Sequence, residues 1–367
     1  MAENVSKRLK TDSGITIGTH NGHFHADEAL AVHMLRQLPT YAGAALLRSR
    51  DPAALAECHT IVDVGGEYDP ARNRYDHHQK TFDTTFPNYA TRLSSAGLVY
   101  MHFGRALLAQ KMGQSEDSED VGLVWRKMYE SFIEAVDAHD NGISKYDTDK
   151  LAAAGIEPRY SSGGYSLGAL VGRCNRNWND PVPSDPVAAQ AAEDALFETA
   201  SQRLGEEFDS TLNFFVSAWL PARAIVRDAY AKRKTYDPQG RIMVLEGQSV
   251  PWKDHLYTLE EEAAAARKTE GEEEKKTDDE GKLLYVLYPE NPNPGAKWRI
   301  QAVSVTQDSF QSRKALPAPW RGVREDVLDE VSGIPGCVFV HASGFTGGHR
   351  TFEGVKTMAD KACAFEA

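Results

Sequence analysis

The chain has 367 residues, with 41 Lys and Arg against 53 Asp and Glu, a formal net charge of −12. That balance lacks the whole-chain basic footprint of most nucleic-acid binders, and no apolar run approaches the roughly 18–20 residues needed to cross a bilayer. The four cysteines (Cys58, Cys174, Cys337, Cys363) show no CxxC spacing, which excludes a zinc ribbon or disulfide scaffold and fits a reducing compartment.

In chain order, residues 1–14 read as a disordered polar tail, with a small basic cluster at Lys7-Arg8-Leu9-Lys10 and no apolar secretory leader. Ile15–His20 is a short β-branched strand. Asp27-Glu28 opens an apolar-periodic helix that Pro39 stops. Thr60–Gly66 is a second strand that runs into glycine. Leu98–Gln110 reads as a helix, and residues 121–139 as one long helix ending at Asp137-Ala138-His139-Asp140-Asn141-Gly142. Residues 144–186 are rich in Ser, Gly, Asn and Pro, and 187–235 are helical. Ile242–Leu245, Leu283–Tyr288 and Trp298–Val303 are strands, the last two pairing as a hairpin. Residues 260–282 are low-complexity and acidic, read as a helix end followed by a solvated, mobile insertion.

Strands alternating with helices predict an α/β fold with a parallel sheet in the N-terminal half. The expected division is a first domain over 15–190, a helical connector over 191–240 and a smaller α/β domain over 241–367. In open parallel sheets, ligands sit beyond the carboxyl ends of the strands.

The polar clusters after Gly18 and Val62 fall at such ends, and in all, four clusters of oxygen and imidazole donors lie at expected strand or helix ends. They are His20-x4-His25-x-Asp27; Asp63 before two glycines; Asp76-His77-His78; and Asp137-x-x-Asp140. Each has a plainer explanation: Asp27 as a helix N-terminal acid, Asp63 as a turn cap, Asp137 and Asp140 as acceptors around the Asn141-Gly142 turn. Their recurrence at four separate turns favours a metal site. Without thiolates, the donor set suits Mn²⁺ or Mg²⁺, and imidazole tips it towards Mn²⁺. Two ions about 3.5–4 Å apart are a known device for phosphodiester hydrolysis.

In the C-terminal half, Ser343-Gly344-Phe345-Thr346-Gly347-Gly348-His349-Arg350 combines glycines, hydroxyls and a cation. Successive glycine amides can nest a phosphate, and Arg350 and Arg299 can fork its oxygens. A plain glycine-rich turn before a helix over 352–364 is the alternative. Arg159 and Arg173 are further phosphate candidates, and Trp298 and Phe345 either stack bases or pack in a core.

The strings Gly18-Thr19-His20-Asn21-Gly22-His23-Phe24-His25-Ala26-Asp27-Glu28, Asp63-Val64-Gly65-Gly66 and Tyr75-Asp76-His77-His78-Gln79-Lys80 resemble the melanocyte-proliferating-gene-one (MYG) family. So do Leu93–Tyr100, Asp137–Ile143, Gly172-Arg173-Cys174-Asn175, Lys297–Val303 and His341–Gly348, nearly the whole chain from about residue 14. That family in turn resembles the DHH phosphoesterase superfamily. The resemblance implies a DHH-type N-terminal domain with a dinuclear metal site and a C-terminal substrate-binding domain. It implies a 3′–5′ RNA exonuclease, acting on single-stranded RNA or short oligonucleotides in nucleus and mitochondrion. His20, His25, Asp27, Asp63, His77 and Asp137 would be metal ligands, Asp63 bridging two Mn²⁺ (or Mg²⁺) ions. Asp76 would orient His77, His78 would lie close to the scissile phosphate, and Asp140 would act beside them. Arg173, Arg299, Ser343, Gly344, Gly347, Gly348, His349 and Arg350 would bind substrate. One departure stands out. The superfamily's first motif usually carries two aspartates; here His25 replaces one, a residue further from His20.

Two other functions are compatible with these residues: a pyrophosphatase or small-nucleotide phosphatase using the same site, and a catalytically silent metal- or RNA-binding module. A deep basic pocket would favour the first, and an open groove with aromatic faces a polynucleotide.

Overall fold

A computed structural model describes residues 14–160, 164, 166–269 and 282–366. The expected tail, with its Lys7–Lys10 cluster, and most of the acidic insertion lie outside the described residues. The chain forms two compact units that meet between Val216 and Ser217.

The first unit is built on a five-stranded sheet of order β2-β1-β3-β5-β4. Its strands are β1 (Thr16–Thr19), β2 (Ala45–Arg48), β3 (Thr60–Val62), β4 (Tyr68–Asp69) and β5 (Arg74–Tyr75). β1 pairs in parallel with β2 and β3, β3 pairs in parallel with β5, and only β4 runs antiparallel. The parallel sheet is therefore as expected. All four residues of β1 and all three of β3 are buried, as strands covered on both faces must be.

Helix α1 (Ala26–Arg36) follows β1. Leu30, Val32 and Leu35 are wholly buried, each contributing about 1.5–3 kcal/mol of burial. Two later helices pack on it: α3 (Ser95–Met112), which comes after the short α2 (Pro52–Ala56), and the long α8 (Pro186–Phe214). Phe24 meets Phe197 edge to face, and Ser201 donates its hydroxyl to the Ala29 carbonyl at 2.7 Å. The helical stretch expected as a connector thus begins as a core element of the first unit.

The single helix expected over 121–139 is interrupted. α4 (Glu119–Met128) passes into a wider π turn at Tyr129–Ile133 before α5 (Glu134–Asp140). A π turn adds a residue and re-aims the helix beyond it, here the one carrying Asp137 and Asp140. Two short helices, α6 (Thr148–Ala153) and α7 (Leu167–Gly172), lead on to α8.

The second unit holds a sheet of order β6-β7-β8-β10-β9. Its strands are β6 (Ile242–Val244), β7 (Tyr285–Pro289), β8 (Trp298–Ala302), β9 (Cys337–Val340) and β10 (Thr346–His349). β6 and β7 are parallel and the rest antiparallel, including the expected β7–β8 hairpin. Helices α9 (Leu220–Tyr236), α10 (Lys253–Thr269), α11 (Glu325–Ser332) and α12 (Phe352–Ala364) surround it. Tyr285, Leu287, Ile300, Val355 and Met358 form its wholly buried centre. Among the described residues, no helix is long and apolar enough to cross a membrane.

Candidate metal centre

Three of the four parallel strands, β1, β3 and β5, end in a donor at one edge of the sheet. The next residue after each is a donor: His20 after β1, Asp63 after β3 and Asp76 after β5. α1 begins at the same edge with Asp27 and Glu28, and α5 ends with Asp140. Asp63 adopts a left-handed backbone, φ 58°, which Asp tolerates better than most residues and which is paid for by the surrounding fold. Its N–H donates to the Tyr75 carbonyl at 3.1 Å, so the strained residue is tied to β5.

His20 Nε2 lies 3.2 Å from Asp63 Oδ2 and 3.1 Å from Glu28 Oε1. His77 Nε2 lies 3.3 Å from Asp63 Oδ1, 3.0 Å from Asp140 Oδ2 and 3.9 Å from Asp27 Oδ2. Asp63 therefore faces two histidines with its two oxygens. Three sets of donor atoms lie close enough for one ion each: His20, His25, Glu28 and Asp63; Asp63, His77 and His78; His25, Asp27 and Asp140. Asp63 and His25 each belong to two of them.

The fit to cations is tested by atoms that the protein leaves without partners. Asp27 Oδ1, Glu28 Oε2, Asp63 Oδ1 and both His77 ring nitrogens are buried and make no hydrogen bond of acceptable geometry. His77 Nε2 is close to two carboxylates but misaligned with both, as donors converging on a common point would be. Orphaned buried polar groups are rare and costly, and Asp27 is 0 % exposed. Four carboxylates meet here, at Asp27, Glu28, Asp63 and Asp140, and divalent cations would offset their charge.

The electrostatics of the cluster point to the same need for positive charge. Burial alone would lower the His20 pKa, yet Asp63 and Glu28 outweigh it and push it up to about 10. His77 is likewise raised to about 10, Asp140 and Asp63 overcoming burial. Burial would raise Asp63, but the approach of His20 and His77 holds it down to about 2. Asp27 goes the other way, well above the usual carboxylate range, through burial and then repulsion by Asp63 and Asp140. Without a cation, protons on histidines and on Asp27 offset the charge.

Asp76 stands behind this set. Its Oδ1 accepts from the His77 and His78 amides at 2.8 and 3.2 Å and lies 2.7 Å from His78 Nδ1; its Oδ2 accepts from Gly66 N–H at 2.5 Å. That arrangement fixes the His78 ring and leaves its other nitrogen free to face a cavity of about 790 Å³, the side chain being 62 % exposed.

Asp137 is not brought into the cluster. Its Oδ1 accepts from Ser94 N–H, Ser94 Oγ and Gly97 N–H at 2.9, 2.7 and 3.0 Å, and its Oδ2 from Tyr129 at 3.1 Å. It is 0 % exposed and caps the N-terminus of α3 from a distance. Gly97 is required there, since a Cβ would lie 2.4 Å from both carboxylate oxygens. Asp140, one turn on, is the residue that reaches His77. Glu28, read from sequence only as a helix opener, joins His20 at the centre; the sole signal was a second acid after Asp27.

Arg173 follows α7 and donates to the Gly164 carbonyl, outside the donor sets. The remaining substrate candidates lie in the second unit, where the expected phosphate nest is replaced by a strand. Gly347 and Gly348 sit in β10, paired on both sides by β8 and β9, so their backbone belongs to the sheet. Both are glycine for packing: a Cβ at Gly347 would meet the Phe339 carbonyl at 2.9 Å, and one at Gly348 would meet Arg299 at 2.9 Å. His349 is 3 % exposed; its Nε2 donates to the Pro335 carbonyl at 2.9 Å and its Nδ1 accepts from Thr351 N–H at 3.0 Å. With both nitrogens committed, it cannot hold a phosphate. Arg299 pairs with Glu290 at 2.5 Å over the Phe339 ring, and Arg350 with Glu325 at 2.9 Å. Ser343 and Gly344 form the turn before β10, the hydroxyl 3.0 Å from His341 Nδ1.

A family model described as an uncharacterised protein family (UPF0160) matches residues 16–363. The human MYG1 exonuclease is 48% identical over 349 residues, covering 94% of this chain and 84% of that one. MYG1 protein C27H6.8 of Caenorhabditis elegans is 43% identical, covering 94% of each chain, and MYG1 protein C694.04c of Schizosaccharomyces pombe 42%, covering 96% and 98%. A solved RecJ structure with Mn²⁺ from Thermus thermophilus aligns at 15% identity and TM-score 0.25, across 100% of this chain and 54% of that one, a likeness too weak to carry an argument. Identity of 42–48% over nearly the full length means that the chain belongs to the MYG1 exonuclease family.

Proposed function

We propose that this protein is a metal-dependent phosphodiesterase that removes nucleotides from the 3′ end of single-stranded RNA, with two divalent cations, Mn²⁺ by preference, at the sheet edge. Family membership makes it a hydrolase of the nuclease kind. The observation that carries the finer reading is Asp63: one strained carboxylate facing His20 with one oxygen and His77 with the other, within a buried set of unpartnered donors.

One cation would be held by His20, Glu28, Asp63 and His25, the other by Asp63 and His77 with Asp27 or Asp140. Bound divalent cations supply Lewis-acid polarisation of the phosphate and a water acidic enough to attack at neutral pH. The chain's own residues do the rest. Asp76 locks the imidazole of His78, so its outward nitrogen can donate a hydrogen bond to a phosphate oxygen. With Asp76 beside it, the His78 pKa is raised, which favours that donating form. Burial of Asp27 and Asp63 keeps bulk water from competing for the donors.

The test is stepwise shortening of end-labelled single-stranded RNA with added Mn²⁺ by the parent, Asp63→Ala and His77→Ala. Shortening by the parent alone, from the 3′ end, with both variants folded, is expected. Hydrolysis of pyrophosphate or mononucleotides instead would keep the site and change the substrate; hydrolysis of none of these would refute the proposal.

A further inference from the structure

Two arginines line the cavity over the cluster, and neither was part of any candidate set: Arg50, two residues beyond β2, and Arg92, just before α3. Each is fixed by the asparagine that directly follows a candidate ligand. Arg50 donates through Nη1 to the carbonyl and the side-chain oxygen of Asn21, the neighbour of His20. Arg92 donates through Nε to Asn141 Oδ1 at 2.7 Å, and Asn141 is the neighbour of Asp140. The Asn141 amide returns the bond to the Arg92 carbonyl at 2.9 Å and bonds the Asp137 carbonyl at 2.9 Å. Arg92 is thereby joined to the end of α5 at both its backbone and its side chain.

What the two guanidiniums lack is a carboxylate. Arg48, Arg241 and Arg313 each pair with one, in a chain where acids outnumber bases. Among the described residues Arg50 and Arg92 do not, although both border a pocket lined by Asp63, Asp76 and Asp140. Arg92 keeps both terminal nitrogens and Arg50 keeps Nη2 and Nε for an incoming group. A guanidinium offers paired, coplanar donors that match a phosphate. An anion entering this cavity meets Asp63, Asp76 and Asp140, so fixed cations are needed beside any metal to make its approach favourable. Lys80, also on the cavity wall, adds to that field.

We propose that Arg50 and Arg92 form a clamp for a phosphate of the substrate, with Asn21 and Asn141 as the residues that position it. The inference rests on the phosphodiesterase reading and deepens it.

Binding is read by fluorescence anisotropy with a short labelled single-stranded RNA, Ca²⁺ replacing Mn²⁺, and by competition with inorganic pyrophosphate. Full-length parent, Arg50→Gln, Arg92→Gln, the double variant and Lys232→Gln, an exposed control in the second unit, are compared. Each single variant is expected to bind RNA about tenfold more weakly and the double about a hundredfold, with the log–log salt slope falling by about 0.7 per arginine. Mn²⁺ affinity by calorimetry stays within about twofold, because neither residue touches a donor atom and Asn141 keeps its bonds to the Arg92 and Asp137 carbonyls. If the parent binds RNA and the double variant binds it equally with the same slope, the clamp is refuted while the nuclease reading stands. A fall of tenfold or more in Mn²⁺ affinity would also refute it, showing that the arginines merely hold the ligand loops. Should the parent ignore RNA but bind pyrophosphate with the same arginine dependence, the clamp stands and the polynucleotide reading falls. If it binds neither probe, both fall.

Discussion

Asp137 and Asp140 sit three residues apart, and the structure puts them in opposite surroundings. Replacing Asp137 with Ala removes the acceptor for four donors at once: two backbone amides, the Ser94 hydroxyl and the Tyr129 hydroxyl. The hydroxyls can rotate towards other partners, but the amides of Ser94 and Gly97 cannot. Losing a helix cap costs about 0.5–2 kcal/mol, and each stranded buried donor about 1–3. Allowing for the freed hydroxyls, about 3–4 kcal/mol is expected for Asp137→Ala, a drop of roughly 10 °C in Tm for a unit of this size. Asp137→Asn is the informative companion. Its remaining oxygen still accepts the three bonds at Ser94 and Gly97, and its amide donates to a re-oriented Tyr129 hydroxyl, so about 1 kcal/mol or less is lost. At Asp140 the same change removes a charged donor from the His77 side, weakening Mn²⁺ binding by at least about tenfold with little change in metal-free stability. Melting in EDTA separates folding from metal, and calorimetric titration with Mn²⁺ reads affinity. If Asp137→Asn melts like the parent in EDTA but loses Mn²⁺ as Asp140→Asn does, Asp137 is a ligand and the assignment is refuted.

Four further outcomes are expected from the same geometry. Burial raises the Asp137 pKa to about 7, above its unfolded value. The folded state thus holds a proton that the unfolded state loses, so stability from this group falls as pH rises from about 4 to 7; Asp137→Asn should flatten that slope in EDTA melts. His20 and His77 hold protons up to about pH 10 in the metal-free protein, and ligation needs them neutral. Mn²⁺ binding should release about two protons near pH 7 from the histidines, and a third where Asp27 ligates, tightening with pH; calorimetry in buffers of different ionisation enthalpy will count them, and a buffer-independent heat would contradict this. Gly97→Ala drives a methyl into the Asp137 carboxylate and should destabilise at least as much as Asp137→Ala, with no specific effect on Mn²⁺ affinity. Asn175 holds Phe24 through both its amide and its carbonyl, at 3.0 and 2.9 Å, so Asn175→Ala should loosen the His23–His25 loop and weaken Mn²⁺ binding about tenfold while Tm moves by only a few degrees.

The candidate metal centre was legible because its chemistry is carried by residue types that cores avoid. Acids and histidines recurring at strand ends point to one edge of a parallel sheet without any knowledge of the packing. β1, α1 and β3 were readable for ordinary reasons: β-branched runs, glycine after the strand, acids opening the helix. β2 and β5 were not, since Ala45–Arg48 carries no β-branched residue and β5 is two residues long. Glu28 looked like the first-turn acid that it also is, its carboxylate accepting the His25 amide at 2.8 Å. Only the approach of His20 from β1 gives it a second role.

The two misplacements share a physical origin. In Asp137-x-x-Asp140, local spacing puts both carboxylates towards one side of a helix, and nothing local says which meets a cation and which meets amides. The π turn at Tyr129–Ile133 decides it, by bringing Tyr129 and the start of α3 against Asp137, and helical periodicity continues through that turn almost unmarked. Thr346-Gly347-Gly348-His349 lacks the side-chain alternation that identifies a strand, because its neighbours leave no room for side chains: the Phe339 carbonyl on one side and Arg299 on the other. Glycine there records a close approach between strands rather than an open nest, and the two produce the same string. In both places the deciding contact comes from an element distant in sequence. A local motif can therefore identify the chemistry available at such a position, while the choice between ligand and cap, or between nest and strand, belongs to the packing.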